Sequence, residues 1–260
     1  MKELTDTHNQ TDHRKIDINR VGVKQLRFPI AVRDKNASLQ HTIATVSLAV
    51  DLPKQFKGTH MSRFVEVLNA HGPELDVRSI HQIPRELIAR LSAQRSHIEF
   101  VFPYFIRKTA PVSKLEGLID YEVIFELEST GEKSDFVLTV KVPVTTLCPC
   151  SKAISKRGAH NQRGIVTYSV RFGEPIWIED LIRLVETSAS CELYSVLKRP
   201  DEKWVTEAAY DNPVFVEDLV RNIAARSDTQ PNILWYRVEA ENFESIHNHN
   251  AYAVIEKHRD

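Results

Sequence analysis

The sequence predicts an α+β fold made of two tandem ββααββ modules, with antiparallel sheets and helices on one face. Three observations carry this. Segments of strict apolar/polar alternation come in pairs. Helical stripes fall between the pairs. The order strand, strand, helix, helix, strand, strand then repeats in the second half of the chain. Consecutive strands joined by a short turn such as Ser129-Thr130-Gly131-Glu132 favour antiparallel pairing.

Residues 1–20 show no periodicity and read as a polar mobile tail. The first module covers 21–130. Leu26 to Arg33 and Thr42 to Leu52 read as strands. Thr59 to Ala70 reads as a helix, with Met61, Phe64, Val65 and Leu68 at i, i+3, i+4 and i+7 and Gly72 as its stop. A second helix opens at Pro84, with Leu87, Ile88 and Leu91 on one face. Ile98, Phe100 and Phe102 alternate as a strand, and so do Tyr121, Val123, Phe125 and Leu127.

The second module covers 131–260. Phe136 to Val142 and Val166 to Phe172 alternate as strands. Ile178, Leu181, Ile182 and Val185 form a helical stripe whose start carries Glu179 and Asp180, which suit the dipole there. Another helix follows Asn212-Pro213, with Phe215, Leu219, Val220 and Ile223 apolar. Leu234, Tyr236 and Val238 alternate, and Ala251 to Ile255 closes the chain as a strand.

The chain has 260 residues, 42% hydrophobic and 27% charged, a balance that excludes a mostly disordered polymer. Lys and Arg total 34 against 35 Asp and Glu, a net charge of -1. That balance argues against a nucleic-acid coat or a polybasic membrane binder. No apolar run reaches the roughly 18 residues of a membrane span. Residues 1–19 have no apolar h-region, so no signal peptide is expected. Three cysteines do not make a secreted disulfide framework, and a reducing cytoplasm fits better.

The two strands that open the second module are separated by about twenty residues (145–164), where a hairpin needs about two to five. Long loops inside compact modules tend to carry function. This one holds Cys148, Cys150, His160 and the cations Lys152, Lys156, Arg157 and Arg163. Pro149 stiffens the turn, and a Cys-Pro-Cys sequence does not readily close on itself as a disulfide. A nucleophile or metal ligand is therefore favoured over a small buried hydrophobe for at least one of the two. Cys191 ends a helical stripe and is assigned to the core.

His160 follows Cys148 by twelve residues, which is not a zinc-finger spacing. His247 and His249 share one face of an extended segment, although Asn248 and Asn250 also suit a polar hairpin turn. Glu202, in the inter-helix segment 198–203, competes with a solvated charge run. Glu217 competes with an ordinary first-turn carboxylate. A thiolate, imidazoles and a carboxylate together suit Zn(II), Mn(II) or Fe(II) with one position open to water. Surrounding cations suit a polyphosphate. With 8 glycines in the chain, no phosphate-binding glycine loop is present. The residues alone point to a metal hydrolase acting on a small anionic substrate.

Several blocks together resemble the type IB GTP cyclohydrolase I family. They are Leu147-Cys148-Pro149-Cys150-Ser151-Lys152, Gly158-Ala159-His160-Asn161-Gln162-Arg163 and Gly58-Thr59-His60-Met61-Ser62-Arg63-Phe64. Lys198-Arg199-Pro200-Asp201-Glu202-Lys203, the segment 212–218 and His247-Asn248-His249 complete the set. The resemblance implies a tunnelling fold and a cytoplasmic homotetramer with active sites at subunit interfaces. It implies hydrolysis of GTP to 7,8-dihydroneopterin triphosphate and formate, the first step of tetrahydrofolate biosynthesis, with one divalent metal per site. Carried onto this chain, it makes Cys148, His160, Glu202 and His247 the metal-site residues and Glu217 the carboxylate that holds the guanine edge. His160 or His247 shuttles protons. Lys152, Arg157, Arg163, Lys198 and Arg199 are candidates for the triphosphate, with Arg63 reaching in from another module or subunit. Cys150 is a spare thiol, an outer group or a redox partner. Three readings compete: an iron-dependent archaeal-type enzyme giving a cyclic phosphate, a 7-deazaguanine nitrile reductase using a nicotinamide cofactor, and a non-catalytic metal-storage or nucleotide-binding protein.

Overall fold

The computed structural model describes residues 8, 10–36, 38–75, 77 and 80–259. Its strands are β1 (Ile18–Arg33), β2 (Leu39–Leu52), β3 (Glu74–Leu75), β4 (Ser96–Thr109), β5 (Glu116–Ser129), β6 (Ser134–Leu147), β7 (Asn161–Phe172), β8 (Ile233–Asn242) and β9 (Ala251–His258). Its helices are α1 (Met61–His71), α2 (Gln82–Leu91), α3 (Pro149–Ile154), α4 (Ile178–Glu186), α5 (Arg199–Asp211) and α6 (Val216–Asp228). The sheet order is β3-β1-β2-β4-β5-β6-β7-β8-β9. The pairs β1–β2, β2–β4, β6–β7, β7–β8 and β8–β9 are antiparallel, and only the two-residue β3 is seen to run parallel to its neighbour. The α+β class and the antiparallel pairing are as the sequence predicts.

Two compact units are present, and their boundaries fall inside β4, β5 and β6 and in the turn between β1 and β2. In the unit of residues 1–33, 37–102 and 124–137, α1 packs on α2. Phe64, Val67 and Leu68 of α1 and Ile83 and Leu87 of α2 are buried. The inward residues of β2, from Ala44 to Val50, are buried as well. The predicted α1 stripe is turned by about one position, for Met61 is exposed and Val67 is buried instead. Phe102, Phe125 and Phe136 meet edge to face, with centroids 5.1 Å and 5.3 Å apart.

β1 starts earlier than its alternation suggests. Register shifts lie at Ile18/Val21 and Val23/Leu26, and Gln25 has φ 59°. Each bulge resets the period-2 pattern, so only the stretch from Leu26 reads clean. Of the predicted tail, residues 1–7 and 9 lie outside the described residues. The carbonyls of His8 and Gln10 accept from Gly58 and Lys57 N–H.

In the other unit, residues 34–36, 103–123 and 138–260, α4 buries Ile178, Leu181, Ile182 and Val185. α6 buries Val216, Leu219, Val220 and Ile223. Phe215, predicted as part of that stripe, caps the helix and is exposed. The inward rows of β6, β7 and β8 supply Val140, Val142, Val144, Val166, Tyr168, Val170 and Val238. Each such side chain contributes roughly 1.5–3 kcal/mol on burial.

Two sequence expectations change here. The segment 198–203 is not an inter-helix connection but the start of α5. α5 buries only Asp201 and Ala209, so it has no apolar stripe by which to recognise it. The long loop is also shorter than predicted, because β6 runs to Leu147 and β7 begins at Asn161, leaving 148–160. Cys191 is buried, as expected. No helix among the described residues is long and apolar enough to cross a membrane.

Candidate active site

The register of one hairpin builds the centre of the site. Leu147 pairs with Asn161 across β6 and β7, so the residues just outside that pair face each other. They are Cys148 and His160. The Cys148 N–H donates to the His160 carbonyl at 3.1 Å. Cys148 is also the extended N-cap of α3, with Pro149 at the first helical position, where its missing N–H costs nothing. The Ser151 N–H donates to Cys148 Sγ at 3.4 Å. The Ser151 hydroxyl donates to the Cys148 carbonyl at 3.1 Å and accepts from the His160 N–H at 3.2 Å. Twelve residues apart in sequence, Cys148 and His160 thus sit on one backbone staple.

The His160 ring is held on one side. Its Nδ1 lies 3.0 Å from Gln162 Oε1, 3.5 Å from Ser245 Oγ and 3.9 Å from Glu244 Oε2. Val214 N–H donates to the Leu147 carbonyl at 3.0 Å, which fixes the segment leading into α6 beside the cysteine. Glu217 therefore stands in the first turn of α6, exposed, next to the thiol loop. His247 and His249 lie in the β8–β9 connection with their rings stacked at 4.9 Å. A cavity of about 270 Å³ is lined by Cys148, His160, Glu217, Glu244, His247 and His249, among others.

Glu244 is the residue that sequence reading passed over. It is mostly buried and shares the cavity with the histidines. Its spacing, three residues before His247 in the same connection, was the available signal.

Other predicted residues stand elsewhere. Lys198, Arg199 and Glu202 sit exposed at the N-terminal end of α5 and do not line the cavity. That helix end is anchored by Asp201, whose carboxylate accepts from the N–H groups of Val112, Ser113 and Lys198, each at 2.8 Å. Burial pushes the Asp201 carboxyl up, but these hydrogen bonds outweigh it and hold the group well below the usual carboxylate range. Lys152 donates to the Tyr210 carbonyl and lies over the Tyr210 ring at 4.3 Å. Arg163 is exposed on β7, Arg157 is exposed in the loop, and Cys150 is exposed on α3. Arg63 lies on α1 and donates to the Arg90 carbonyl at 3.3 Å.

No group of three or more His, Cys, Asp or Glu side chains converges closely enough to hold a metal among the described residues. The donor types fit a divalent metal, since Cys148 and His160 offer sulfur and nitrogen from one staple. A larger cavity, about 600 Å³, lies beside α4 and α6 near Trp177, Arg183 and Arg226. Neither Cys nor His lines it, so chemistry rather than size marks the smaller one.

Comparison with known proteins shows the fold and the family. Solved structures show the fold. Uricase from Arthrobacter globiformis superposes with a TM-score of 0.57 at 10% identity, over 93% of this chain and 94% of its own. A uricase from Bacillus fastidious gives 0.56 at 8% identity, over 95% and 94%. These are tunnelling-fold proteins, and the likeness establishes that fold for the chain. The GTP cyclohydrolase FolE2 of Akkermansia muciniphila is 67% identical over 260 residues, covering 99% of this chain and 98% of the relative. That of Nitrosococcus oceani is 56% identical over 258 residues, covering 99% and 97%. The family model described as Type I GTP cyclohydrolase folE2 matches residues 4–253, and the chain belongs to that family.

Proposed function

We propose that this protein hydrolyses GTP to 7,8-dihydroneopterin triphosphate and formate, the first step of tetrahydrofolate biosynthesis, in the cytoplasm. The observation that carries the reading is the single cavity in which Cys148, His160, Glu217 and His247 meet. A thiol, imidazoles and a carboxylate line that cavity, which supports a small substrate engaging all of them.

Cys148 and His160 would hold one divalent metal, Zn(II), Mn(II) or Fe(II), with His247 from the same cavity as a further ligand; Glu202, outside the cavity lining, would join them only in the assembled protein. When bound, such a metal supplies Lewis acidity that makes water nucleophilic near neutral pH. Glu217 accepts the guanine N–H edge with both carboxylate oxygens, a match an acceptor-only group makes well. That orients C8 toward Cys148 and His160. Water adds to C8 and the C8–N9 bond breaks. A second water adds to C8, the C8–N7 bond breaks, and formate leaves. An imidazole of His160 or His247 takes the proton from water and returns it to the departing nitrogen. The sugar then rearranges and the new ring closes with loss of one water.

Lys152, Arg163, Lys198 and Arg199 are our candidates for the triphosphate. All four lie outside the cavity lining. We therefore propose the homotetramer with interfacial sites, an assembly that brings further groups to each cavity.

The test incubates metal-free protein with GTP, adds Zn(II), Mn(II) or Fe(II) separately, and follows formate and the fluorescence of the oxidised pterin. Metal-restored neopterin triphosphate supports the reading. A cyclic phosphate product moves it to the archaeal-type reaction. Neither product with any metal overturns it in favour of a binding protein or the nitrile reductase.

A further inference from the structure

We infer that Gln162 is a positioning residue for His160, holding the ring proton on Nδ1 and reserving the Nε2 lone pair for a metal or a reacting proton. The use made of Nε2 rests on the function proposed above. The proton placement stands on the local geometry alone.

Gln162 Oε1 lies 3.0 Å from His160 Nδ1, and a carbonyl oxygen can only accept. The nitrogen facing it therefore carries the proton. In this orientation Gln162 Nε2 donates to Thr146 Oγ1 at 3.0 Å, but a hydroxyl can donate as well as accept, so the choice between the two amide orientations falls to the other group that faces the ring. Thr146 is fully buried and Gln162 nearly so, at 8% exposure, which keeps water from substituting for either partner. A flipped amide presents N–H to Nδ1 instead. Glu244 selects against that flip. Its Oε2 is 3.9 Å from the same nitrogen, and a carboxylate also favours a proton there. No partner for His160 Nε2 is found among the described residues.

The arrangement follows from strand geometry. Thr146 and Gln162 are direct partners in the β6–β7 register. His160 and Gln162 are two apart along an extended chain, so their side chains share a face. A relay from Thr146 through Gln162 to His160 thus runs from the core to the cavity. Outer hydrogen bonds of this kind orient histidine ligands, and losing one typically lowers metal affinity about 10–100-fold.

The experiment labels histidine with ¹⁵N in the full-length, metal-free protein and reads the His160 tautomer by NMR at a pH where the ring is neutral. Zinc affinity is then titrated with the metal alone. In the unaltered protein the proton is expected on Nδ1. Gln162→Leu is expected to lose that preference and bind zinc about 10–100-fold more weakly. Gln162→Glu, which keeps an acceptor, is expected to retain the tautomer and most of the affinity. A proton on Nε2 in the unaltered protein overturns the inference even if Gln162→Leu fails to fold. So does a folded Gln162→Leu with unchanged tautomer and zinc affinity. An Nδ1 proton in a protein that turns over no GTP with any metal upholds the inference and overturns the proposed function.

Discussion

The Cys148 amide donates to the His160 carbonyl at 3.1 Å, and this bond closes the loop 148–160 at its base. Cys148→Ala leaves that backbone bond in place and removes only the sulfur. The variant is expected to fold with an unchanged circular dichroism spectrum, lose most of its bound metal, and turn over GTP at no more than about a thousandth of the original rate, a loss of roughly 4 kcal/mol in transition-state stabilisation. Metal analysis beside a formate assay checks this. Full activity removes Cys148 from the metal site.

Ser151 staples both ends of the same loop with one hydroxyl. Ser151→Ala leaves the His160 N–H without that partner. A loss of about 1 kcal/mol in stability is expected, seen as a fall of roughly 2–4 °C in Tm. Turnover should fall more than stability does, because Cys148 and His160 are no longer held together. A Tm shift with unchanged kcat refutes the positioning role.

Glu217→Gln keeps size and removes one acceptor oxygen together with the charge. Hydrogen bonds to charged groups contribute about 1.5–3 kcal/mol, so GTP binding should weaken roughly 10–100-fold. Metal content should not change. Binding of a non-hydrolysed GTP analogue by calorimetry separates the two, and unchanged affinity removes the guanine-holding role.

Away from the cavity, the unit containing α4 buries an ion pair. Lys108 Nζ lies 2.8 Å from Glu186, and both side chains are 9% exposed. Tyr121 also donates to Glu186, at 2.6 Å. Burial pushes the Glu186 carboxyl up, and Lys108 only partly opposes it. Lys108→Met strands the carboxylate, at a cost of about 3–5 kcal/mol near neutral pH. A carboxyl raised in the folded state is best tolerated below its unfolded pKa and destabilises as pH rises through the folded value. The deficit of Lys108→Met against the original chain should therefore shrink in acid and grow toward neutrality. Urea unfolding at several pH values checks it, and a pH-independent deficit sinks it.

Gly164 sits on β7 between Val144 and Asn242. A Cβ there meets Asn242 Oδ1 at 2.6 Å, too close to accept without movement. Asn242 lines the cavity. Gly164→Ala is expected to cost about 1–3 kcal/mol as an overpacking change and to raise KM for GTP by displacing that wall. Unaltered stability and KM show that the wall yields freely.

The fold class was legible in the sequence because alternation and helical stripes are local consequences of which face is buried. β2, β4, β7, α4 and α6 each carry such a pattern. α5 was not legible, since a helix that buries little beyond Asp201 and Ala209 leaves no apolar stripe. β1 was half legible, because its bulges reset the period.

For the site, the sequence by itself determined the inventory: a thiol and an imidazole in one loop, a His-x-His turn, and first-turn carboxylates. Only the tertiary structure decided which of them meet. The β6–β7 register set Cys148 against His160 and put Thr146 behind Gln162. The β8–β9 connection brought in Glu244, whose spacing three residues before His247 was its one trace in the sequence. Lys198, Arg199 and Glu202 went to the N-terminal end of α5, outside the cavity lining. Chemistry is written residue by residue, whereas proximity depends on hydrogen-bond register between strands distant in the chain, and no local pattern encodes that.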